Sequence, residues 1–468
     1  MIFHSVDYIV FFCVTVTVYW SLSHRFQNYF LLLAGYFFYG YVHPWFLILI
    51  AASTVVDFSL ALGMQRVPSR KKQLLVLSVI ANLGLLSFFK YFNFFVDNLL
   101  AIAASLHVVI PRPLLQVGLP VGISFYTFQS LSYTIDVYRG RLAARTNFIE
   151  YATFVALFPQ LVAGPIERAT HILPQVENPR HFDPERARIG LTWICWGFFK
   201  KLVIADNVAA VTGKIFLAAA PGFSLVWVGT LAFAVQIYAD FSAYTDIARG
   251  SARWLGFELM QNFNHPYISQ TPAEFWRRWH ISLSSWFRDY VYIPLGGNRV
   301  SKARHYFNLW LTFVLSGFWH GASWNFVIWG AYHGTLLVIY QLIERFVPWL
   351  IRSSVLTIPR VLLFFALTNV GWLLFQEQET KQLFLDLALR PGTDSPAQLL
   401  AASHFGALIA VYAAPLAIDT TLYLSGFYAR ARDTRPWIVL NAFTLLLLIL
   451  GIGFLHAAES GDFIYFQF

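Results

Sequence analysis

His280 and His320 are the side chains of this sequence best suited to chemistry. His280 lies in TPAEFWRRWHISLSSWFRDY (residues 271–290) and His320 in LSGFWHGASWN (residues 315–325). An unperturbed imidazole titrates closer to neutrality than any other side chain, so either group can pass a proton at physiological pH. His320 sits in the nearly uncharged run 313–328, with Gly317, Trp319, Gly321 and Trp324 around it. Ionisable groups at membrane depth are costly and usually face a bundle interior with a role there. A structural alternative stays open: a histidine bonding a carbonyl across a helix contact, with the glycines serving close helix packing. That alternative weighs more heavily for His265, His305 and His333.

The element that must carry His280 reads as a helix. Thr271 as N-cap, Pro272 at the first helical position and Glu274 three residues after the cap form a capping box. At 100° per residue Phe275, Trp276, Trp279, Leu283, Trp286, Phe287 and Tyr290 fall in one sector about 120° wide. Arg277, Arg278, Ser282, Ser284, Arg288 and Asp289 lie outside it, and Ile281 is the one apolar exception. The pattern predicts one amphipathic helix to Tyr290, lying in the membrane interface or at a cavity mouth. His280, just past the edge of the apolar sector, is expected to point into protein while staying near water. Asn325 is not on the face of His320. Asp240, Asp246, Arg249 and Arg253 form a polar string in an apolar region and read as structural pairs.

Composition sets the environment of these elements. With 57% hydrophobic, 18% aromatic and 12% charged residues over 468 positions, the chain reads as an all-α, multi-pass integral membrane protein. Apolar runs of near-spanning length recur at 8–22, 46–62, 74–89, 223–238, 361–375 and 438–455. About eleven to thirteen transmembrane, re-entrant and interfacial helices are expected, and the Gly- and Pro-broken run 117–128 is a candidate re-entrant segment. Arg66, Arg70, Lys71 and Lys72 mark a cytoplasmic loop, which places the N-terminus outside. No cleavable signal peptide is expected. Polar stretches 167–188 and 376–398 read as extramembrane loops, and the whole of 1–468 as one membrane domain with 271–334 as its core.

The net charge of +9 is dispersed among loops and suits lipid headgroups, with no call for nucleic acid. Cys13 and Cys195 are far apart and read as packing residues, and neither they nor the histidines show a metal-ligand spacing. No phosphate-binding glycine loop or internal repeat is present.

Four segments together carry a resemblance: FWRRWHISLSSWFRDYVYIPLGGNR (275–299), LSGFWHGASWNFVIWGAYHG (315–334), LFPQLVAGPIER (157–168) and QIYADFSAYTDIARGSARWLGF (236–257). They resemble the membrane-bound O-acyltransferase family, and within it the bacterial branch that includes the membrane subunit of alginate O-acetylation. The resemblance covers nearly the full chain. It implies a many-helix fold around a central tunnel, a cytosolic entrance for a thioester donor, and an acceptor reached from the opposite face.

His320, in the W-H-G motif, then corresponds to the catalytic histidine, and His280, in R-W-H, to its companion. A neutral imidazole can take the proton of a hydroxyl as it attacks a thioester carbonyl, typically contributing about 10² to 10⁴, and burial would keep His320 neutral. Arg277, Arg278, Arg288 and Trp319 are candidates for holding the donor, acetyl-CoA or an acyl carrier protein, with no bound cofactor expected. The arginines have an equal alternative as anchors for lipid phosphates. Tyr465, in the terminal FIYFQF, is a candidate acyl relay or an aromatic interface anchor.

The expected function is acetylation of an exported, alginate-like polysaccharide from the bacterial inner membrane, completed by a periplasmic acetyltransferase partner. D-alanyl transfer to teichoic acid and peptidoglycan O-acetylation are the alternatives, and a lipid or polymer transporter is the alternative of another class. A transporter should lose activity gradually as pathway residues change. An acyltransferase should lose nearly all of it with His320→Ala.

Overall fold

The protein is described by a computed structural model over residues 1–111, 117–161, 164–218, 221–377, 379–428, 435–457, 461 and 463–464, with backbone alone for 435–443. Helix accounts for 78% of it and no strand occurs among the described residues, so every backbone group buried in lipid has to be satisfied within helices. Six helices are long and apolar enough to cross a bilayer, and Val6–Ser21 and Thr444–Leu455 are shorter apolar helices. The chain is an all-α integral membrane protein. All six apolar runs singled out in the sequence fall in helices, the first but for its last residue, Leu22, which caps α1.

Two compact units are present, residues 1–190 with 248–260, and 191–247 with 261–468. In chain order the helices are α1 (Val6–Ser21), α2 (His24–Gly40), α3 (Phe46–Arg66), α4 (Lys71–Ser105), α5 (Ile123–Tyr138), α6 (Phe148–Ala156), α7 (Phe158–Leu161), α8 (Ala169–Glu177) and α9 (Pro184–Phe199). They continue as α10 (Asp206–Phe216), α11 (Phe223–Trp254), α12 (Pro272–Arg278), α13 (Ile281–Phe287), α14 (Lys302–His320) and α15 (Trp324–Phe346). The last are α16 (Pro348–Arg352), α17 (Thr357–Gln376), α18 (Thr380–Ala388), α19 (Pro396–Leu424) and a terminal helix, Arg435–Leu455.

In the first unit α3, α4 and α5 pack around a polar seam. Asp57 of α3 is fully buried and accepts hydrogen bonds from Ser78 Oγ at 2.7 Å and Asn82 Nδ2 at 2.9 Å, which offsets the cost of a carboxylate away from water. The stretch read as re-entrant turns at Gly122, whose φ of 78° suits glycine, and enters the almost wholly buried α5. The polar stretch 167–188 is ordered, with α8 inside it and α9 starting at Pro184. Glu167, also fully buried, accepts from the Met260 amide and meets His171 Nδ1 at 2.8 Å.

The second unit is organised on the α14–α15 hairpin. A Cβ added at Gly317 would lie 2.1 Å from the carbonyl oxygen of Phe326, and one at Gly330 would lie 2.4 Å from that of Phe313, so the two backbones touch. α19 presents Leu399, Leu400, Leu408, Val411 and Ile418 outward, as a lipid-facing helix would. The two carboxylates of the polar string do form structural pairs, but with lysines outside it: Lys200 bonds Asp246 at 2.7 Å and Lys201 bonds Asp240 at 3.0 Å. Cys195 is half-buried but Cys13 is exposed, so only the former packs as expected.

Candidate functional site

The N-terminus of α12 forms as its sequence predicts, with one change. Thr271 Oγ1 accepts from the Glu274 amide at 3.2 Å, but the Glu274 carboxylate bonds the amide of Gln270, at 2.9 Å, instead of that of Thr271. The other Glu274 oxygen takes Arg278 Nε at 3.0 Å, and Arg278 Nη1 donates to the Asn264 carbonyl at 3.1 Å. Arg278 therefore ties the helix start to the preceding loop.

The helix does not run on to Tyr290. It breaks after Arg278, and His280 adopts the left-handed conformation, φ 42° and ψ 55°, as N-cap of α13. Few non-glycine residues take positive φ, and histidine is among those enriched there. Neighbours hold the break in place: the Asn264 amide donates to the Arg278 carbonyl at 2.9 Å and the Ile281 amide to the Asn262 carbonyl at 3.0 Å. Asn262 Oδ1 also accepts from Ser282 Oγ at 2.7 Å. Such a constrained backbone, which costs on the order of 1–3 kcal/mol, persists only where its surroundings over-determine it.

The break turns His280 inward. It is 1% exposed, against the expected position near water, and its ring lies edge-on to Phe241 with centroids 4.7 Å apart. Burial alone pushes its imidazole down to about 3, which keeps it neutral through the physiological range. The predicted apolar face stays inward across the break: Phe275, Trp276, Trp279, Leu283, Trp286 and Phe287 are buried, and Trp279 stacks on Phe275 at 5.6 Å.

His320 comes from a different element. It is the last residue of α14, and the extended Gly321 turns the chain toward α15. It is 5% exposed, and its ring stands edge-on to Trp329 at 5.0 Å, to Phe375 at 5.4 Å and to Trp319 at 5.1 Å. The structure brings the two sequence-predicted histidines together, with ring centroids 6.4 Å apart inside one aromatic enclosure. Trp319, 5% exposed, belongs to the same enclosure and lies 6.2 Å from His280.

The arginines are elsewhere. Arg277 and Arg288 are exposed, Arg288 bonding Asp289 at 2.8 Å, and Arg278 is engaged as above. Tyr465 lies outside the described residues. Sequence reading missed Phe241, Trp329 and Phe375, which belong to separate helices and carry no local signal, and Asn262, whose role depends on a contact twenty residues away in sequence. His333, set aside earlier, is fully buried between Trp276 and Trp329, at 5.1 and 4.8 Å. His265 and His305 have structural partners: His265 stacks on Tyr423 at 4.2 Å, and His305 bonds Tyr292 at 2.8 Å and Gln341 at 3.0 Å. Asn325 lies in the first turn of α15, and its amide faces the carbonyls of Leu374 and Phe375, each at 3.4 Å.

Two imidazoles buried together on separate elements are groups able to accept and donate protons, and comparison with known proteins gives the class of the chain. The sequence matches the membrane-bound O-acyltransferase family over residues 33–375. The chain belongs to that family. This acyltransferase is 44% identical to a probable alginate O-acetylase of Pseudomonas aeruginosa, over 81% of this chain and 72% of the relative. It is 38% identical to the Pseudomonas putida protein of the same name over the full length of both. A peptidoglycan O-acetyltransferase of Helicobacter pylori is 32% identical over 95% of this chain and 92% of its own. The matched region includes both histidines. Family membership favours acyl transfer over the transporter reading.

Proposed function

We propose that this acyltransferase passes an acetyl group from a cytosolic thioester across the bacterial inner membrane for O-acetylation of an exported, alginate-like polysaccharide, with a periplasmic acetyltransferase completing the transfer. The observation that carries the reading is the convergence of His280 and His320, at 6.4 Å, in a water-poor aromatic enclosure, in a chain similar over its full length to a probable alginate O-acetylase. In this reading His320 is the general base. It takes the proton of the attacking hydroxyl as oxygen adds to the thioester carbonyl, and returns it to the departing thiolate as the C–S bond breaks and the carbonyl re-forms. His280, held neutral by burial, orients the donor or stabilises the developing charge. Acetyl-CoA or an acyl carrier protein is the donor, and Tyr465 is the candidate relay on the acceptor side. Residues 271–334, within the second unit, are the catalytic core in this reading. Peptidoglycan is the second acceptor to test, because the Helicobacter relative spans nearly all of this chain.

The deciding experiment places the chain in an alginate-producing strain that lacks its own membrane acetylase subunit but keeps its soluble partners. NMR of the purified polymer should show restored O-acetyl signals. Unacetylated alginate beside newly O-acetylated muropeptides would move the acceptor to peptidoglycan, and neither product at normal membrane abundance would reject both.

Two variants test individual roles. Asparagine tolerates left-handed backbone, so His280→Asn should preserve the break and thermal stability while lowering the acetylation rate about 10²-fold. A drop in thermal stability alone would make His280 a packing residue. The double charge reversal Arg277→Glu, Arg288→Glu should raise the KM for acetyl-CoA several-fold, more at low salt, with kcat nearly unchanged, if these exposed charges attract the donor phosphates. Unchanged KM with reduced membrane abundance would instead mark them as lipid anchors.

A further inference from the structure

Leu455, Ala457 and Ile464, near the end of the described chain, are each hydrogen-bonded to another part of the second unit. Asn207 Nδ2 donates to the Leu455 carbonyl at 3.1 Å, the Ala457 amide donates to the Leu202 carbonyl at 3.0 Å, and the Ile464 amide donates to Asp240 Oδ2 at 2.7 Å. Leu202 belongs to a π-helical turn, Lys200–Ala205, between α9 and α10. Turns of this kind are uncommon and recur at functional sites. Phe463 is fully buried and stacks on Tyr244, with centroids 4.0 Å apart and planes 22° from parallel. Ile464 is 1% exposed. One ring separates this segment from the candidate site, because Phe241 lies 5.8 Å from Phe463 and 4.7 Å from His280.

Charge explains why the segment docks there. Lys201, 1% exposed, bonds both Asp206, at 2.9 Å, and Asp240, at 3.0 Å. One ammonium faces two buried carboxylates, and a buried charge is tolerated only when its remaining lone pairs meet donors. The second oxygen of Asp240 meets such a donor in the Ile464 amide. The terminal segment thus completes a buried charge cluster, and the cluster fixes where the segment sits. Simple membrane anchoring by aromatic residues would leave Phe463 at the lipid interface, not stacked in the interior beside α11.

We propose that Asp240 is a positioning residue that pins Phe463 and Ile464 one ring, Phe241, away from His280, so that these two residues are part of the acyl-transfer site. The proposal rests on the acyl-transfer reading for its consequence in activity, and its geometric half stands on its own. Two readouts therefore test it. With Cys13 and Cys195 replaced by alanine, Ile464→Cys should react with a small maleimide at least tenfold faster when Asp240→Ala is added, the loss expected when a hydrogen bond to a charged group is removed. Equal rates in the two backgrounds would overturn the anchor, whatever the enzyme catalyses.

In membranes at matched abundance, Asp240→Ala should lower acetyl transfer. In a chain ending at Asp462 activity should already be low, and Asp240→Ala should cost less there than in the full chain, because the Asp240–Ile464 hydrogen bond that it breaks is already gone. Full activity of the shortened chain, or losses that simply add, would reject the segment as part of the site. A chain that labels as expected while His320→Ala keeps full acetylation would separate a correct anchor from a wrong catalytic assignment.

Discussion

Replacing His320 by alanine is expected to abolish acetyl transfer, by a factor of about 10² to 10⁴, with little change in membrane abundance. The two halves of that expectation rest on different observations. Activity falls because the imidazole at the end of α14 is the group proposed to take the hydroxyl proton, and alanine has nothing with which to replace it. Abundance holds because the ring packs edge-on against aromatic neighbours at 5.0–5.4 Å, so its removal leaves a gap inside an enclosure that stays walled by Trp319, Trp329 and Phe375. A cavity of that kind costs roughly the few kcal/mol of a large-to-small core change. The measurement pairs NMR of acetyl groups on purified polymer with quantitative detection of the protein in membranes. His320→Gln serves as the shape-conserving control: it fills most of the space and lacks a base, so it should be as inactive as alanine and more stable. Acetylation above half the normal level in either variant would remove His320 from the chemistry.

Chain periodicity and residue type made much of this legible. Apolar runs were read as helices because lipid forces backbone groups to pair within a segment, and the runs at 46–62 and 361–375 became α3 and α17 with nearly the expected bounds. The start of α12 was legible for the same reason, since Thr271 and Pro272 act through bonds only three residues long. The break at His280 was not. A helical projection assigns every residue the same 100° step and cannot register a left-handed residue, whose stability here comes from Asn262 and Asn264 in the preceding loop, beyond the reach of the projection. One trace was visible: Ile281, the single apolar residue on the polar side of the projection, is the first residue after the break. The enclosure of Trp329, Phe375 and Phe241 was illegible for a related reason, as three helices far apart in sequence contribute it and aromatic residues are abundant throughout the chain.

The geometry that presents His320 depends on two glycines, and Gly317→Val is expected to remove most folded protein. Gly317 lies one turn before His320, and its backbone meets α15, where an added Cβ would lie 2.1 Å from the Phe326 carbonyl oxygen and 3.0 Å from Gly330 Cα. Neither obstacle is a flexible side-chain tip, so the hairpin must open to accept even one carbon. Overpacking where only side chains must yield costs about 1–3 kcal/mol; a backbone obstacle leaves less room to relax, and valine adds two methyl groups. Opening the hairpin also shifts the end of α14, so whatever protein folds should be inactive. Gly317→Ala should show the same defect more mildly, with a lowered Tm in detergent and acetylation reduced in step. Gly84 supplies the control, because nothing lies within 4 Å of a Cβ built there, and Gly84→Ala should be neutral or slightly stabilising through helix propensity. If Gly317→Val accumulates normally and keeps a wild-type Tm, close contact between α14 and α15 is not what positions His320.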